Sequence, residues 1–417
     1  MKIIETINFF IGILFTVCYS YQLFYILVPL FARIFRKKKP SGQPEDRTRR
    51  YAVVIAARNE SAVIAHLIES IKNQDYPAEL VDTYVIADNC TDNTAEIAER
   101  AGAIVYERTN DIFKGKGYAL SYFFERVPIE KYNGFFIFDA DNVLSPNYIT
   151  EMNKMFSDKN RVITSCRNSK NYGDNWISAG YALWFLRESK YLNRSRYILG
   201  TSSAVSGTGF LIHRDIMAAK GWNYHLLTED IEFTIDSIID GEKISYCDSA
   251  VFFDEQPTSF RQSCRQRLRW SKGYLQVFEK YGKNLVRKVF KGSFSCYDMT
   301  MNIAPAAIIT FTALILNIIY TVIALISGAG VVAAFRPFVD LFLWGYGFLY
   351  FIGAITVATQ WKKIYCSNFK KILYTFTFPI FMYTYLPISI AAFFVKVEWK
   401  AITHNVPKSV DTIINYK

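Results

Sequence analysis

A chain of 417 residues, 51% hydrophobic and 17% aromatic with a formal net charge of +11, has room for one catalytic domain with a membrane region, or for two modest soluble domains. Apolar richness with positive charge suits an anionic membrane surface; Lys and Arg sit beside apolar runs instead of forming one polar patch, so nucleic acid is not expected as a partner. The seven cysteines (Cys18, Cys90, Cys166, Cys247, Cys264, Cys296, Cys366) are scattered without a CxxC spacing, which argues against a disulfide framework or a zinc site and for a reducing compartment.

Ile7–Phe31 is an apolar run of about 25 residues, enough for one tilted span of the bilayer core. It is too long for the apolar part of a signal peptide. The basic cluster Arg33, Arg36, Lys37, Lys38 and Lys39 stops transfer and sets the next domain in the cytosol, with the N-terminus outward. The expected location is the cell membrane, with several passes. After a polar linker, Pro40–Arg50, the texture becomes soluble α/β. Strands are expected at Tyr51–Ala57, Thr83–Ala87, Ala103–Tyr106 and Gly134–Phe138, with helices over Ser61–Asn73 and Thr91–Ala101. Such alternation implies a mostly parallel sheet, with ligands at the carboxyl ends of its strands.

From Phe260 to Tyr297 the chain is basic and aromatic together, reading as amphipathic helices in the membrane interface. Apolar runs follow near Met301–Ile326, Phe338–Thr359 and Ile372–Val395. The expected organisation is an N-terminal helix with its basic stop over 1–39, a cytosolic catalytic domain over 40–258, interfacial helices over 259–298, membrane helices over 299–396 and a basic tail over 397–417. One feature conflicts with it. Three spans after the cytosolic domain would put the tail outside, yet the tail carries Lys396, Lys400, His404 and Lys408. The last run contains Pro379 and Pro387, so a broken or re-entrant segment is the alternative.

The strongest chemical signal is Phe136-Ile-Phe-Asp-Ala-Asp-Asn142. A buried strand delivers Asp139 and Asp141 to its open end, where two hard oxygen ligands can hold Mg²⁺ or Mn²⁺ against a diphosphate. A turn with Asx caps is the bland alternative. Ile86-Ala-Asp-Asn-Cys-Thr-Asp-Asn-Thr94 also ends a strand: Asp88 is placed to accept from a base or ribose, while Asp92 reads as a helix cap. The first strand ends in Ala57-Arg58-Asn-Glu60, and Lys114-Gly-Lys116-Gly supplies a basic turn suited to phosphate.

These elements resemble the nucleotide-binding half of a GT-A fold glycosyltransferase. Thr228-Glu229-Asp230 is similar to the TED motif and Gln266-Arg267-Leu-Arg269-Trp270 to the QxxRW motif of the processive branch of family 2, which holds the cellulose, chitin, hyaluronan, mixed-linkage glucan and poly-N-acetylglucosamine synthases. The resemblance implies a cytosolic GT-A domain joined to a helical transmembrane region. It implies Asp230 as general base with Glu229 beside it, and Arg269 against the departing diphosphate. Ala57, Arg58, Glu60, Asp88, Lys116, Asp139, Arg267 and Arg269 would bind the donor, and Asp139 and Asp141 the metal. Trp270 would stack on the acceptor sugar, with Gln266 and the Ser206-Gly207-Thr208 segment lining the acceptor site. The tail Glu398–His404 compares with the gating loop of cellulose synthases, although its sequence matches that loop poorly; a basic interfacial tail is the favoured reading.

The expected function is thus a processive inverting transferase. It would extend a β-linked polysaccharide from a UDP-sugar, with UDP-glucose and a β-glucan favoured, and export the growing chain through its own helices. The alternatives are a hyaluronan- or poly-N-acetylglucosamine-type synthase and a transferase adding one sugar to a lipid carrier. A transporter with a regulatory domain is disfavoured, because few ionisable residues lie in the spans.

Overall fold

The computed structural model describes residues 2–32, 48–398, 402, 404 and 406–414. The basic cluster at 33–39, most of the linker and part of the tail lie outside the described residues. Eight strands form one sheet: β1 (Tyr51–Ala57), β2 (Val81–Asp88), β3 (Ile104–Arg108), β4 (Gly134–Asp139), β5 (Val143–Leu144), β6 (Val162–Ser169), β7 (Phe210–His213) and β8 (Ile244–Asp254), in the order β3-β2-β1-β4-β7-β6-β8-β5. The half from β3 to β4 is parallel. Beyond it the sheet is mixed: β7 runs antiparallel to both β4 and β6, β6 and β8 are parallel, and β5 is antiparallel to β8.

Register explains why carboxylates gather. Ala57 lies opposite Ala87, Ala56 opposite Asp139 and Asp88 opposite Arg108, so four parallel strands end at one edge. β1 and β4 are apolar without alternation because helices cover both faces. α2 (Ile64–Lys72) and α3 (Thr94–Arg100) pack on one face, through Ile64, Leu67, Ile68 and Ala98. α4 (Lys116–Phe124) packs on the other through Ala119, Leu120 and Phe123. Asp92 accepts from the Thr94 backbone at 3.1 Å, the capping role expected of it.

α5 (Tyr148–Met155), α6 (Trp176–Arg187), α7 (Arg194–Leu199), α8 (Arg214–Lys220) and α9 (Glu229–Ile239) complete the domain. Most of the basic aromatic stretch then folds as one 31-residue helix, α10 (Phe260–Phe290). It contains no proline, and Gly292, whose φ is 87°, ends the helix before α11 (Phe294–Ile303). One stripe of α10, including Arg267, Gly273 and Val277, is buried against neighbouring elements.

α12 (Pro305–Ile326) and α13 (Val331–Gln360) are apolar and largely exposed, as is α1 (Lys2–Phe31). The last apolar run, also long enough to span, is broken at Thr384 into α14 (Asn368–Tyr383) and α15 (Tyr385–Phe394). α14 starts with Lys370 Nζ donating to Gly173 O at 2.6 Å and then lies along α6, where a Cβ on Gly180 would meet the Phe381 ring at 2.3 Å. α15 lies along α10, where Lys272 Nζ donates to Ala392 O at 3.0 Å. The run therefore begins and ends beside the catalytic domain. α16 (Val410–Ile414) closes the chain against β5 and β8, through Ile413, Val143 and Phe253.

Asp298 of α11 ties α1 to α7 of the domain. It is fully buried and accepts from Tyr21 at 2.9 Å, Tyr25 at 2.8 Å, and Arg196 Nε and Nη2 at 2.8 Å each. Removing one partner of a buried pair leaves the other charge unmatched, a loss of about 3–5 kcal/mol. Asp298→Ala is expected to lower the unfolding midpoint markedly in a thermal melt, whereas Glu96→Ala, in an exposed pair with Arg100, should change it little.

Candidate active site

Where β1, β2 and β4 end, three turns change the direction of the chain. Two use asparagine in the left-handed region, Asn59 at φ 56° and Asn89 at φ 53°, a conformation asparagine tolerates better than most residues. The Asn59 side chain accepts from Thr91 N and that of Asn89 from Asn110 N, both at 2.8 Å, so each strand end is tied to its neighbour. Above these ends lies a cavity of about 570 Å³. Its floor holds Ala57, Arg58, Glu60, Asp88, Asp139 and Asp141; α9 contributes Glu229 and Asp230; α10 contributes Gln266, Arg269 and Trp270; Lys116, Ser206 and Gly207 also line it.

Two of the residues singled out from sequence stand apart. Arg267 is fully buried on the far side of α10 and donates to Phe381 O at 3.2 Å and Thr384 Oγ1 at 2.6 Å. Residues two apart on a helix point in nearly opposite directions, so Arg267 and Arg269 cannot share one ligand. Arg267 instead anchors the break between α14 and α15. Thr208 is also buried behind the site: Asp139 N donates to its hydroxyl at 2.8 Å, and that hydroxyl donates to Asn142 Oδ1 at 2.6 Å. It braces the acidic turn and does not line the cavity.

Asp230 and Glu229 open α9, where the helix N-terminus favours negative charge. Gly207, at φ 83°, turns its N–H onto Asp230 Oδ2 at 2.5 Å. Burial raises the pKa of Asp230 despite opposing contributions from backbone hydrogen bonds, Lys116 and Arg269. Burial and the neighbouring Asp230 raise Glu229 likewise. A carboxylate poised nearer neutrality is better matched to proton abstraction than an ordinary one. Arg269 donates to Leu227 O at 2.7 Å, and a Cβ on Gly273 would meet Thr228 at 2.5 Å, so the two motifs are packed as one unit. Trp270 meets Tyr181 edge-on at 5.7 Å.

Lys116 pairs with Asp139 and donates to Gly207 O at 2.7 Å. Burial works against its charge, but Asp139, Glu229 and Asp230 outweigh it and raise its pKa. Asp88 pairs with Arg108, whose other nitrogen reaches Phe113 O at 2.7 Å and draws the loop before α4 toward the site.

Asp141 accepts from Glu255 N at 2.8 Å and from Asn142 Nδ2 at 3.1 Å. Among the described residues no three His, Cys, Asp or Glu groups form a cage for a metal. Two carboxylates at a cavity edge fit a divalent cation whose remaining ligands come from a diphosphate and water.

Several lining residues had not been singled out. β8 ends in Phe252-Phe-Asp-Glu255, the same apolar-to-acidic change that marks β4, and Asp254 pairs with Arg167 at 2.7 Å. Glu188 follows α6. The tail, expected in the interface, returns to the site instead. His404 Nδ1 lies 2.9 Å from Glu60 Oε1, and Val406 N donates to Glu255 Oε2 at 2.8 Å. Burial opposes protonation of His404, yet Asp141 and Glu60 raise its pKa to about 10; burial raises Glu60 to about 7.

The strand-end carboxylates, the acids at the start of α9 and the arginine of α10 form a polar site suited to a nucleotide diphosphate and an attacking hydroxyl, on a GT-A-like sheet. Residues 48–273 match the model of the glycosyltransferase like family 2, and the chain belongs to that family. It is 26% identical over 276 residues to a beta-monoglucosyldiacylglycerol synthase of Nostoc sp., covering 62% of this chain and 57% of that protein. It is 25% identical over 271 residues to a poly-beta-1,6-N-acetyl-D-glucosamine synthase of Staphylococcus epidermidis, covering 62% and 61%. The chain thus spans about three fifths of the length of these relatives. A mannosyltransferase of Pyrobaculum calidifontis, solved with GDP-Man and Mn²⁺, shares the fold at a TM-score of 0.59 and 14% identity, covering 93% of this chain and 98% of that one.

Proposed function

We propose that the enzyme transfers a hexosyl unit from a UDP-sugar, bound with a divalent metal, to a hydroxyl of an acceptor that reaches the site from the bilayer. The observation that carries this reading is the continuity of the cavity. It joins Asp139, Asp141 and Asp230 to Phe311, Leu314, Leu386 and Ile390, on segments apolar enough to enter a membrane. An apolar tail can lie along those side chains, burying surface at about 25 cal/mol per Å², while the acceptor head meets Asp230. The name of the Nostoc relative supports a lipid acceptor.

Asp230 takes the proton of the attacking hydroxyl, and attack from behind the anomeric carbon inverts it in one displacement. Arg269 faces the charge that builds on the departing diphosphate; Asp139 and Asp141 would hold a Mg²⁺ or Mn²⁺, which would supply Lewis-acid charge there. UDP-glucose is the favoured donor. The catalytic domain faces the cytosol, with α1, α12 and α13 as the crossing helices.

The second reading is processive extension of a β-linked polysaccharide along the same helices. Trp270 on the cavity wall favours it, because an aromatic face can hold a sugar, and the name of the Staphylococcus relative supports it. Labelled UDP-sugars with Mn²⁺ and vesicles carrying the protein separate these readings. Label in a one-sugar, organic-soluble product supports lipid transfer, and label in long chains supports polymerisation. No transfer from any UDP-sugar would remove the proposed activity.

A further inference from the structure

The cavity is lined by a further carboxylate that neither the metal role nor the base role uses. Glu188 is the first residue after α6, where the helix loosens into a π-helical segment, Glu188–Asn193. Such segments are rare and recur at functional sites. Here the segment helps present the Glu188 side chain to the cavity wall.

The surroundings of this carboxylate are unusual. Arg167, Arg187 and Arg196 all lie near enough to favour its charge, yet Arg167 is committed to Asp254 and Arg196 to Asp298, and Arg187 donates to Gln22. Glu188 itself forms no ion pair among the described residues. Its one hydrogen bond there comes from Ser206 Oγ, at 3.3 Å to Oε2. Burial raises its pKa, with the arginines opposing. Tyr274 of α10 lines the same cavity between Glu188 and Asp230, both of which raise its pKa after burial does, and its hydroxyl has no hydrogen-bond partner among the described residues. A carboxylate and a phenol with unused hydrogen-bonding capacity on one cavity wall are placed to pair with the hydroxyls of a ligand there.

We infer that Glu188 and Tyr274 form a hydroxyl-binding subsite beside Asp230, so that the acceptor head carries at least two hydroxyls, as a sugar or another polyol does. One hydroxyl attacks while another donates to Glu188 and accepts from Tyr274. A diacylglycerol, with a single hydroxyl, leaves this pair empty. The inference rests on the proposed function and narrows its acceptor to a glycosylated or polyol head. Ser206 and Arg167 hold Glu188 in place, through the hydroxyl bond and through charge.

The test uses the full chain in lipid nanodiscs with UDP and Mn²⁺, titrated with octyl β-D-glucoside below its micellar concentration. Glu188→Gln keeps shape and part of the bonding; Glu188→Ala and Tyr274→Phe remove it. The expected result is glucoside binding weakened about tenfold or more by Glu188→Ala, and less by Glu188→Gln, because a hydrogen bond to a charged group is lost. UDP affinity should be unchanged. With UDP-glucose, the glucoside should also be a better acceptor than dioleoylglycerol in the disc, and Glu188→Ala should raise its KM more than it lowers kcat. Unchanged glucoside binding in all three variants, or dioleoylglycerol as the preferred acceptor, overturns the subsite. Glutamate-dependent glucoside binding without turnover of any donor would retain the subsite and remove the transferase reading.

Discussion

Asp230→Asn is expected to lower turnover by roughly 10²–10⁴, the range associated with losing a positioned general base, while donor binding survives. The side chain keeps its volume and an oxygen that can still accept from Gly207 N, so the start of α9 should hold its shape. What is lost is the capacity to take a proton. Burial raises the Asp230 pKa, so in the wild type kcat/KM should rise with pH through a value above the ordinary aspartate range of about 3.9, as the base ionises. Steady-state rates from pH 4 to 9, together with UDP binding for both proteins, check this. A variant that lost UDP affinity but kept its turnover rate would reassign Asp230 to substrate binding.

Asp141→Ala should be comparably severe through a different step. Asp141 and Asp139 are the two carboxylates placed to hold a cation against the diphosphate, and removing one such electrostatic contact costs on the order of 10²–10³ in rate. The distinguishing sign lies in binding. Wild-type affinity for UDP should rise when Mn²⁺ is added, and the variant should bind UDP equally with and without it. Calorimetric titration of UDP at saturating Mn²⁺ and in EDTA makes the comparison. Full wild-type activity in EDTA would contradict the metal role.

Much of the parallel half of the sheet is legible in the sequence because burial on both faces leaves uninterrupted apolar runs that end in Asp or Asn. Tyr51–Ala57 is found where expected, the strands expected at Thr83–Ala87 and Gly134–Phe138 are longer, and the one expected at Ala103–Tyr106 is shifted to Ile104–Arg108. The mixed half is not legible in the same way. β7 has only four residues, and β8 carries Asp248 and Ser249 in mid-strand, where its pairing with β6 shifts register between Ser165 and Cys166. Neither apolar run nor alternation survives there, so the acidic end of β8 went unread. Most of the residues picked out by local motifs line one cavity, since strand ends and helix starts fix where a side chain points. Arg267 escaped because a motif read as a string does not show that alternate residues of α10 face apart. Thr208 escaped for a similar reason, turning behind the sheet edge while Gly207 faces the cavity. The return of His404 to Glu60 depends on where α15 leaves the chain, which is a tertiary matter.

The account rests on one displacement at Asp230, and the stereochemistry of the product tests it most directly. With an α-linked UDP-sugar and wild-type protein, proton NMR of the purified product should show a β linkage at the newly formed anomeric centre. An α linkage would contradict a single backside attack and would require a covalent intermediate or a front-face route that gives Asp230 no part as base.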